Sequence, residues 1–350
     1  MKNYSTSIIG EGSSVIEALR KLNEGHSSLT LFVVNNNCKM VGTVTDGDFR
    51  RGFINGLSLS DTVSKFMTTK FHYIGEDYTV NEIKEIRNKE IKLLPVLNNN
   101  MEIVKVYNLQ SRKNILPLEC MIMAGGRGER LRPLTDSVPK PMLPLAGKPI
   151  IEHNINRLTT YGIEKIYISV KYLGQQIVDY FGDGSSKDIQ IEYINEEKPL
   201  GTAGALSLVD NFETEYILLM NSDLFTDVDL EDLYLQVIEQ DAVMGIASIP
   251  YTLKVPYALF DEKDKRINGF TEKPIITNYA NAGIYIFKKD LINRIPKDTF
   301  FNITDLLEII IKENLKVIHN PIIGYWIDIG QPQDYLNAQE IIKHINNVNV

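Results

Sequence analysis

Two hydrophobic rhythms divide this chain. In the first ~115 residues, helix-spaced apolar positions precede a strand, an Asn-rich turn and a second strand, and the arrangement occurs twice. Phe32-Val33-Val34-Asn35-Asn36-Asn37-Cys38-Lys39-Met40-Val41-Gly42 matches Leu94-Pro95-Val96-Leu97-Asn98-Asn99-Asn100-Met101-Glu102-Ile103-Val104. Val15, Ile16, Leu19 and Leu22 form the helical stripe before the first hairpin; Val80, Ile83 and Ile86 form it before the second. Beyond Ile115-Leu116-Pro117-Leu118, which reads as a short hinge, buried-strand runs alternate with amphipathic helices. The predicted strands are Cys120–Ala124, Lys165–Val170, Ile189–Ile194, Tyr216–Asn221, Val243–Ile249 and Ala282–Phe287. The predicted helices include Ile150–Tyr161, Gly174–Phe181, Thr202–Leu208, Leu230–Glu239 and Thr304–Glu313. Such alternation predicts a mainly parallel sheet with crossover helices. The expected architecture is α/β, with a module over 1–115 and a Rossmann-like, mixed-sheet domain over 119–350.

Composition narrows the function. The chain has 350 residues, enough for two domains, with 43% hydrophobic and 23% charged positions, as in an ordinary globular protein. A net charge of −8 argues against a general nucleic-acid or anionic-membrane surface, so a phosphate ligand must be held by local basic residues. The two cysteines, Cys38 and Cys120, are too few for a disulfide framework. The opening Met-Lys-Asn-Tyr-Ser lacks a signal-peptide apolar region, and no apolar run approaches a membrane span. A cytoplasmic protein is expected. The five histidines are scattered, with no Ser-His-Asp set and no zinc spacing; His153 reads as packed or solvated.

The chemistry concentrates after the first strand of the second domain. Ala124-Gly125-Gly126-Arg127-Gly128-Glu129-Arg130-Leu131-Arg132 allows a tight turn whose N–H groups can approach an anion, and Arg130, Arg132 and Lys140 supply positive charge. No Gly-Lys-Ser/Thr follows, so this is not a Walker A loop. Asp223 ends the apolar run Ile217–Met220, at the carboxyl edge where open α/β sheets bind ligands. Asp328 lies between Ile327 and Ile329, an awkward place for a charge without a partner.

From Gly125 through Thr135 and on to Pro139-Lys140-Pro141, the chain resembles the sugar-1-phosphate nucleotidylyltransferases. The resemblance covers about residues 119–340. It implies a triphosphate site at Ala124, Gly125, Gly126 and Gly128, steadied by Arg130 and Lys140. It also implies Mg²⁺ on Asp223 and on Asp328 of the Trp-x-Asp-x-Gly element. Glu196, Pro199 and Gly201 match the base-binding turn, whose Thr202 is expected to cap the following helix. Glu272 and Lys273 of Glu-Lys-Pro, with Asn281 and Gly283, match the sugar-phosphate pocket; Ala258 stands where many members have glycine. No general base is required, because a sugar phosphate is already nucleophilic at neutral pH.

The first ~115 residues resemble a tandem pair of CBS motifs. Thr45 and Asp48 fit that family's contacts to nucleotide phosphate and ribose, whereas Asn108 and Ser111 break the pattern in the second copy. The module reads equally as an adenine-nucleotide site or as an oligomer contact; a homo-oligomer is expected. Pro-Lys-Pro-Met and the CBS fusion resemble guanylyltransferases of nonulosonate pathways. This implies GTP, with Glu196 (or Glu197) accepting from guanine, and glucosamine or N-acetylglucosamine 1-phosphate. Mannose 1-phosphate, and CTP, UTP or dTTP, remain alternatives. A non-catalytic nucleotide sensor or scaffold would be expected to have lost one of Arg130, Lys140, Asp223, Asp328 or Lys273, and all five are present.

Overall fold

The computed structural model describes residues 4–24 and 29–348. It separates into two compact units, Met1–Ile115 and Leu116–Val350. Among the described residues, no helix is long and apolar enough to cross a membrane.

In the first unit, β1 (Ile8–Gly10) runs parallel to β2 (Thr30–Val34), which pairs antiparallel with β3 (Met40–Thr45). Helix α1 (Val15–Glu24) precedes this hairpin and α2 (Asp46–Ile54) follows it. The second copy repeats the order: Ile74 bridges Val96 in parallel, then come α3 (Val80–Arg87) and the antiparallel pair β4 (Leu93–Leu97) and β5 (Ile103–Asn108). The turns are alike in atomic detail. Asn35 Oδ1 accepts from the N–H groups of Asn37 and Lys39, and Asn98 Oδ1 accepts from those of Asn100 and Glu102. Cys38 and Met101 each take a positive φ, near 59° and 65°, which re-aims each hairpin and shifts its register. The copies differ at their ends. No helix follows β5, so the second copy stops at its hairpin. Phe32 and Met40 of the first copy pack with Leu93, Leu97 and Val106 of the second in one core.

The second unit starts with β6 (Leu118–Met123) and reaches a small hairpin, β7 (Pro144–Leu145) and β8 (Lys148–Pro149). Then follow α4 (Ile150–Thr160), β9 (Lys165–Val170), α5 (Gln175–Phe181), β10 (Gln190–Asn195), β11 (Tyr216–Asn221), β12 (Leu224–Thr226) and α6 (Leu230–Glu239). After them come β13 (Met244–Lys254), β14 (Leu259–Lys263), β15 (Arg266–Thr271), β16 (Ile275–Lys288) and α7 (Ile303–Lys312). The last elements are β17 (Val317–Pro321), β18 (Trp326–Asp328) and α8 (Pro332–Val348). Seven strands form one sheet in the order β10-β9-β6-β11-β16-β13-β17. The first four are mutually parallel, and β16 alone runs against its neighbours β11 and β13. The sheet is therefore mixed, and its parallel half carries the β6–α4 crossover.

Two expected elements change form. The helix expected over 202–208 is a short 3₁₀ turn, Gly204–Leu208. The strands expected over 243–249 and 282–287 extend outward as an exposed ribbon bearing Tyr251, Leu253, Ile275 and Tyr279, accompanied by the exposed β14–β15 hairpin. Helix α8, absent from the sequence reading, buries Tyr335, Ala338 and Ile342 against Leu131, Leu143, Leu145 and Phe225, under the chain that follows the Gly-rich loop.

Candidate active site

The loop after β6 opens a cavity of about 650 Å³. Its glycines serve different ends. A Cβ on Gly125 would lie 2.9 Å from Glu196 Oε1, so glycine lets a buried carboxylate approach the backbone. Gly126 faces open space, leaving its backbone accessible to a ligand. Gly128 has φ near 63°, and a Cβ there would lie 2.9 Å from Lys140 Cβ; the lysine stem therefore packs directly beneath the loop. The Thr135 hydroxyl ties the loop back by donating to Gly128 O at 2.8 Å.

Strand pairing brings the two aspartates together. Asp223 follows β11, and β12 immediately beyond it pairs antiparallel with β18, placing Leu224 opposite Asp328. Ile329 N–H donates to Asp223 O at 3.1 Å and closes the corner. Lys140 sits between the carboxylates: its ammonium is ion-paired to Asp223 and lies 3.9 Å from Asp328. Burial raises the Asp328 pKa, and the Asp223 charge raises it further, against the pull of Lys140 and Arg130. Asp223 Oδ1 is buried with no hydrogen-bond partner. Among the described residues no cluster of three or more metal-ligating side chains occurs. Two carboxylates, one with an unsatisfied oxygen, nevertheless fit Mg²⁺, which takes one or two protein carboxylates and completes its shell with phosphate and water.

The remaining expected site residues are less uniformly placed. Ala124 is fixed by its N–H to Ser169 O at 2.9 Å, and Arg130 lies exposed on the short helical turn Glu129–Leu131. Glu196, Pro199 and Gly201 all line the cavity. However, both Glu196 carboxylate oxygens already have internal partners: Oε1 accepts from the Ser169 hydroxyl and Oε2 from Leu200 N–H at 3.0 Å. Its observed work is to shape the 196–201 turn. Thr202 does not cap the turn that follows it. Its hydroxyl accepts from Ile303 N–H at 3.0 Å, satisfying the first N–H of α7, whose N-cap is Asn302 in a capping box with Asp305. Gly283, with φ near 74°, leaves room for Asn221 Nδ2, which would sit 2.7 Å from a Cβ, and Asn281 Oδ1 accepts from Gly283 N–H at 2.9 Å. Glu272 and Lys273 are exposed in the turn before β16 and are not among the residues lining the cavity. The sugar-side group expected from the sequence is thus split, with Asn281 and Gly283 at the sheet and Glu272 and Lys273 on the projecting ribbon.

Lys171, Tyr172 and Arg127 are among the cavity residues to which the sequence reading gave no role. Lys171 Nζ donates to Glu196 O and Glu197 O, at 3.2 and 2.7 Å. The Tyr172 hydroxyl donates to the carbonyls of Thr135 and Asp136, and the Arg127 guanidinium lies 5.5 Å from the Tyr172 ring centre. The available signal was position: Lys171 and Tyr172 directly follow the strand Lys165–Val170, at the same sheet edge as the Gly-rich loop.

In the first unit, Thr45 lines a pocket of about 450 Å³ together with Asp46, Arg50, Lys70, Phe71 and His72. Asp48 is not among its lining residues. Its carboxylate is consumed internally, accepting from Thr45 N–H and hydroxyl, Arg51 and Thr68. The carboxylate expected to meet a ribose is engaged here in the α2 capping box. In the second copy Asn108 and Ser111 form only a local turn.

A family model described as nucleotidyl transferase matches residues 119–344, and a CBS-domain model matches residues 7–55. The chain belongs to the nucleotidyl transferase family. It is 36% identical over 232 residues to the bifunctional protein GlmU of Methanococcus maripaludis, covering 63% of this chain and 53% of that protein. It is 32% identical over 228 residues to the mannose-1-phosphate guanylyltransferase of Mycobacterium tuberculosis, covering 63% of each. The chain thus spans between about half and two-thirds of these relatives' length. A crystal structure of a Bacillus anthracis protein assigned as a glucose-1-phosphate thymidylyltransferase shares the fold, with a TM-score of 0.53 at 23% identity over 64% of this chain and 94% of that one. The mixed α/β architecture expected from the sequence is that of the nucleotidyl transferase family, and the CBS expectation is matched by the CBS-domain model over residues 7–55.

Proposed function

We propose that the second unit is a Mg²⁺-dependent sugar-1-phosphate nucleotidylyltransferase, joining a nucleoside triphosphate to a sugar 1-phosphate and releasing pyrophosphate. The observation that carries this reading is the Asp223–Asp328 pair, with the orphaned Asp223 oxygen and Lys140, beside a glycine-lined cavity. Backbone N–H groups around Gly125 and Gly126 hold the triphosphate, with Arg130 and Lys140 offsetting its charge. The sugar phosphate oxygen attacks the α-phosphorus in line. Its own charge makes it nucleophilic, so the protein's task is orientation. Asp223 and Asp328 would hold the Mg²⁺, which supplies charge neutralisation at the reacting phosphates. Lys273 and Glu272 would engage the sugar phosphate from the ribbon, with Asn281 and Gly283 forming the floor.

GTP is the favoured nucleotide, supported by Pro-Lys-Pro-Met and by the likeness to a mannose-1-phosphate guanylyltransferase. Glu196, with its internal partners, keeps lone pairs for guanine, and the exposed Glu197 is the neighbouring acceptor. Glucosamine or N-acetylglucosamine 1-phosphate is the favoured acceptor, and mannose 1-phosphate is the alternative favoured by the same relative. Pyrophosphate release from the four nucleoside triphosphates, each against a panel of hexose 1-phosphates, tests the reading. GTP with one amino sugar phosphate should dominate, and no turnover with any pair at saturating Mg²⁺ overturns it.

A further inference from the structure

Lys140 occupies an unusual position for a phosphate-binding lysine. Its side chain is only 12% exposed, so its charge is largely removed from water and favours an internal counter-charge. The structure supplies one: the ammonium pairs with Asp223 and lies 3.9 Å from Asp328. The stem packs directly against Gly128 of the loop. The ammonium therefore has two sets of partners within one flexible side chain, the carboxylate pair and a triphosphate on the Gly-rich loop.

We propose that Lys140 couples metal binding to nucleotide binding by acting as the carboxylate pair's resident cation until a triphosphate draws it away. The inference rests on the assignment of Asp223 and Asp328 as metal ligands. Two cations about 4 Å apart repel strongly in a partly buried setting. A divalent ion arriving alone must displace the ammonium or tolerate it. A divalent ion arriving with a nucleotide meets freed carboxylates, because the phosphates become the ammonium's counter-charge. Free metal then binds weakly, metal with nucleotide binds tightly, and by reciprocity the metal strengthens nucleotide binding by the same factor.

The test is Mn²⁺ binding to the full chain, read by electron paramagnetic resonance with and without GTP and with no sugar phosphate present. Wild type should bind free Mn²⁺ weakly and gain at least about tenfold in affinity with GTP. Lys140→Met keeps the packed stem and removes the charge. It should bind free Mn²⁺ at least about tenfold more tightly than wild type and lose most of the GTP dependence. Lys140→Gln, which can still donate to Asp223, should behave likewise if folded by circular dichroism. A free-Mn²⁺ affinity unchanged in both folded variants overturns the coupling. Asp223→Asn separates the two ideas: it should weaken Mn²⁺ binding at least about tenfold both with and without GTP, and retained wild-type binding removes the metal site itself.

Discussion

Single residues set the site's tolerances. Asp223→Asn and Asp328→Asn should each lower kcat by two or more orders of magnitude while leaving the fold intact, since each removes charge at the reacting phosphates. Steady-state kinetics at saturating Mg²⁺ and a thermal melt check this, and near-wild-type turnover would exclude the residue. Gly125→Ala tests the loop differently. Its Cβ would meet Glu196 Oε1 at 2.9 Å, and that carboxylate is pinned by Ser169 and Leu200, so relief is expensive. A loss of roughly 1–3 kcal/mol in stability and a raised KM for nucleotide are expected. Denaturant titration and kinetics on the purified variant decide it. Asp48 carries a pH prediction. Burial works against its charge, but hydrogen bonds from Thr45 and the Arg51 guanidinium outweigh it and lower the pKa. A carboxylate depressed in the folded state adds stability above its unfolded pKa, and that stability is lost as pH falls through the folded value. Acid unfolding of Asp48→Asn, followed from pH 7 to below about 4, should therefore show a flatter stability profile than wild type.

At the scale of elements, periodicity revealed what is locally determined. The strands Lys165–Val170 and Tyr216–Asn221 and the helix Leu230–Glu239 stand where their apolar runs place them, because burial on both faces of a parallel sheet leaves an unbroken hydrophobic signal. Strand β18 and helix α8 were missed. Trp326–Asp328 is too short to show a period, and α8 buries only a thin stripe on an otherwise polar helix. The site followed the same rule. The glycines, Lys140 and both aspartates were visible as motifs, but the lysine's pairing with the aspartates and the internal engagement of Glu196 and Asp48 were not, since each depends on residues distant in sequence or on a cap geometry. Thr202 shows how tertiary context overrides a local pattern: its hydroxyl accepts from the first N–H of α7 across a separation of 101 residues, supplementing the Asn302 cap. Thr202→Val should therefore loosen α7 and the cavity's turn together, lowering stability by about 1 kcal/mol. A drop in Tm of roughly 2–4 °C is the calorimetric equivalent for a unit of this size. An unchanged melt would assign the cap no energetic weight.

On the scale of the whole molecule, the two units present separate ligand chemistries. The first unit's pocket gathers Lys70, His72 and Thr45 with Arg50, which is ion-paired to Asp46, and also Glu90; we propose that Lys70 and His72 meet the phosphate of an adenine nucleotide there. Calorimetry of the full chain with AMP, ADP, ATP and CMP should show one site weakened at least about tenfold by Lys70→Glu, since reversing a phosphate-facing charge adds repulsion to lost attraction. Binding unaffected by that change would move the ligand elsewhere. The β12–β18 ladder has a consequence for how the protein comes into being. Asp223 stands near the middle of the second unit, whereas Asp328 lies on β18, far later in the sequence. Until β18 pairs with β12, a folding chain would display the Gly-rich loop with only one of the two proposed metal-binding carboxylates in place, and we expect it to be inactive.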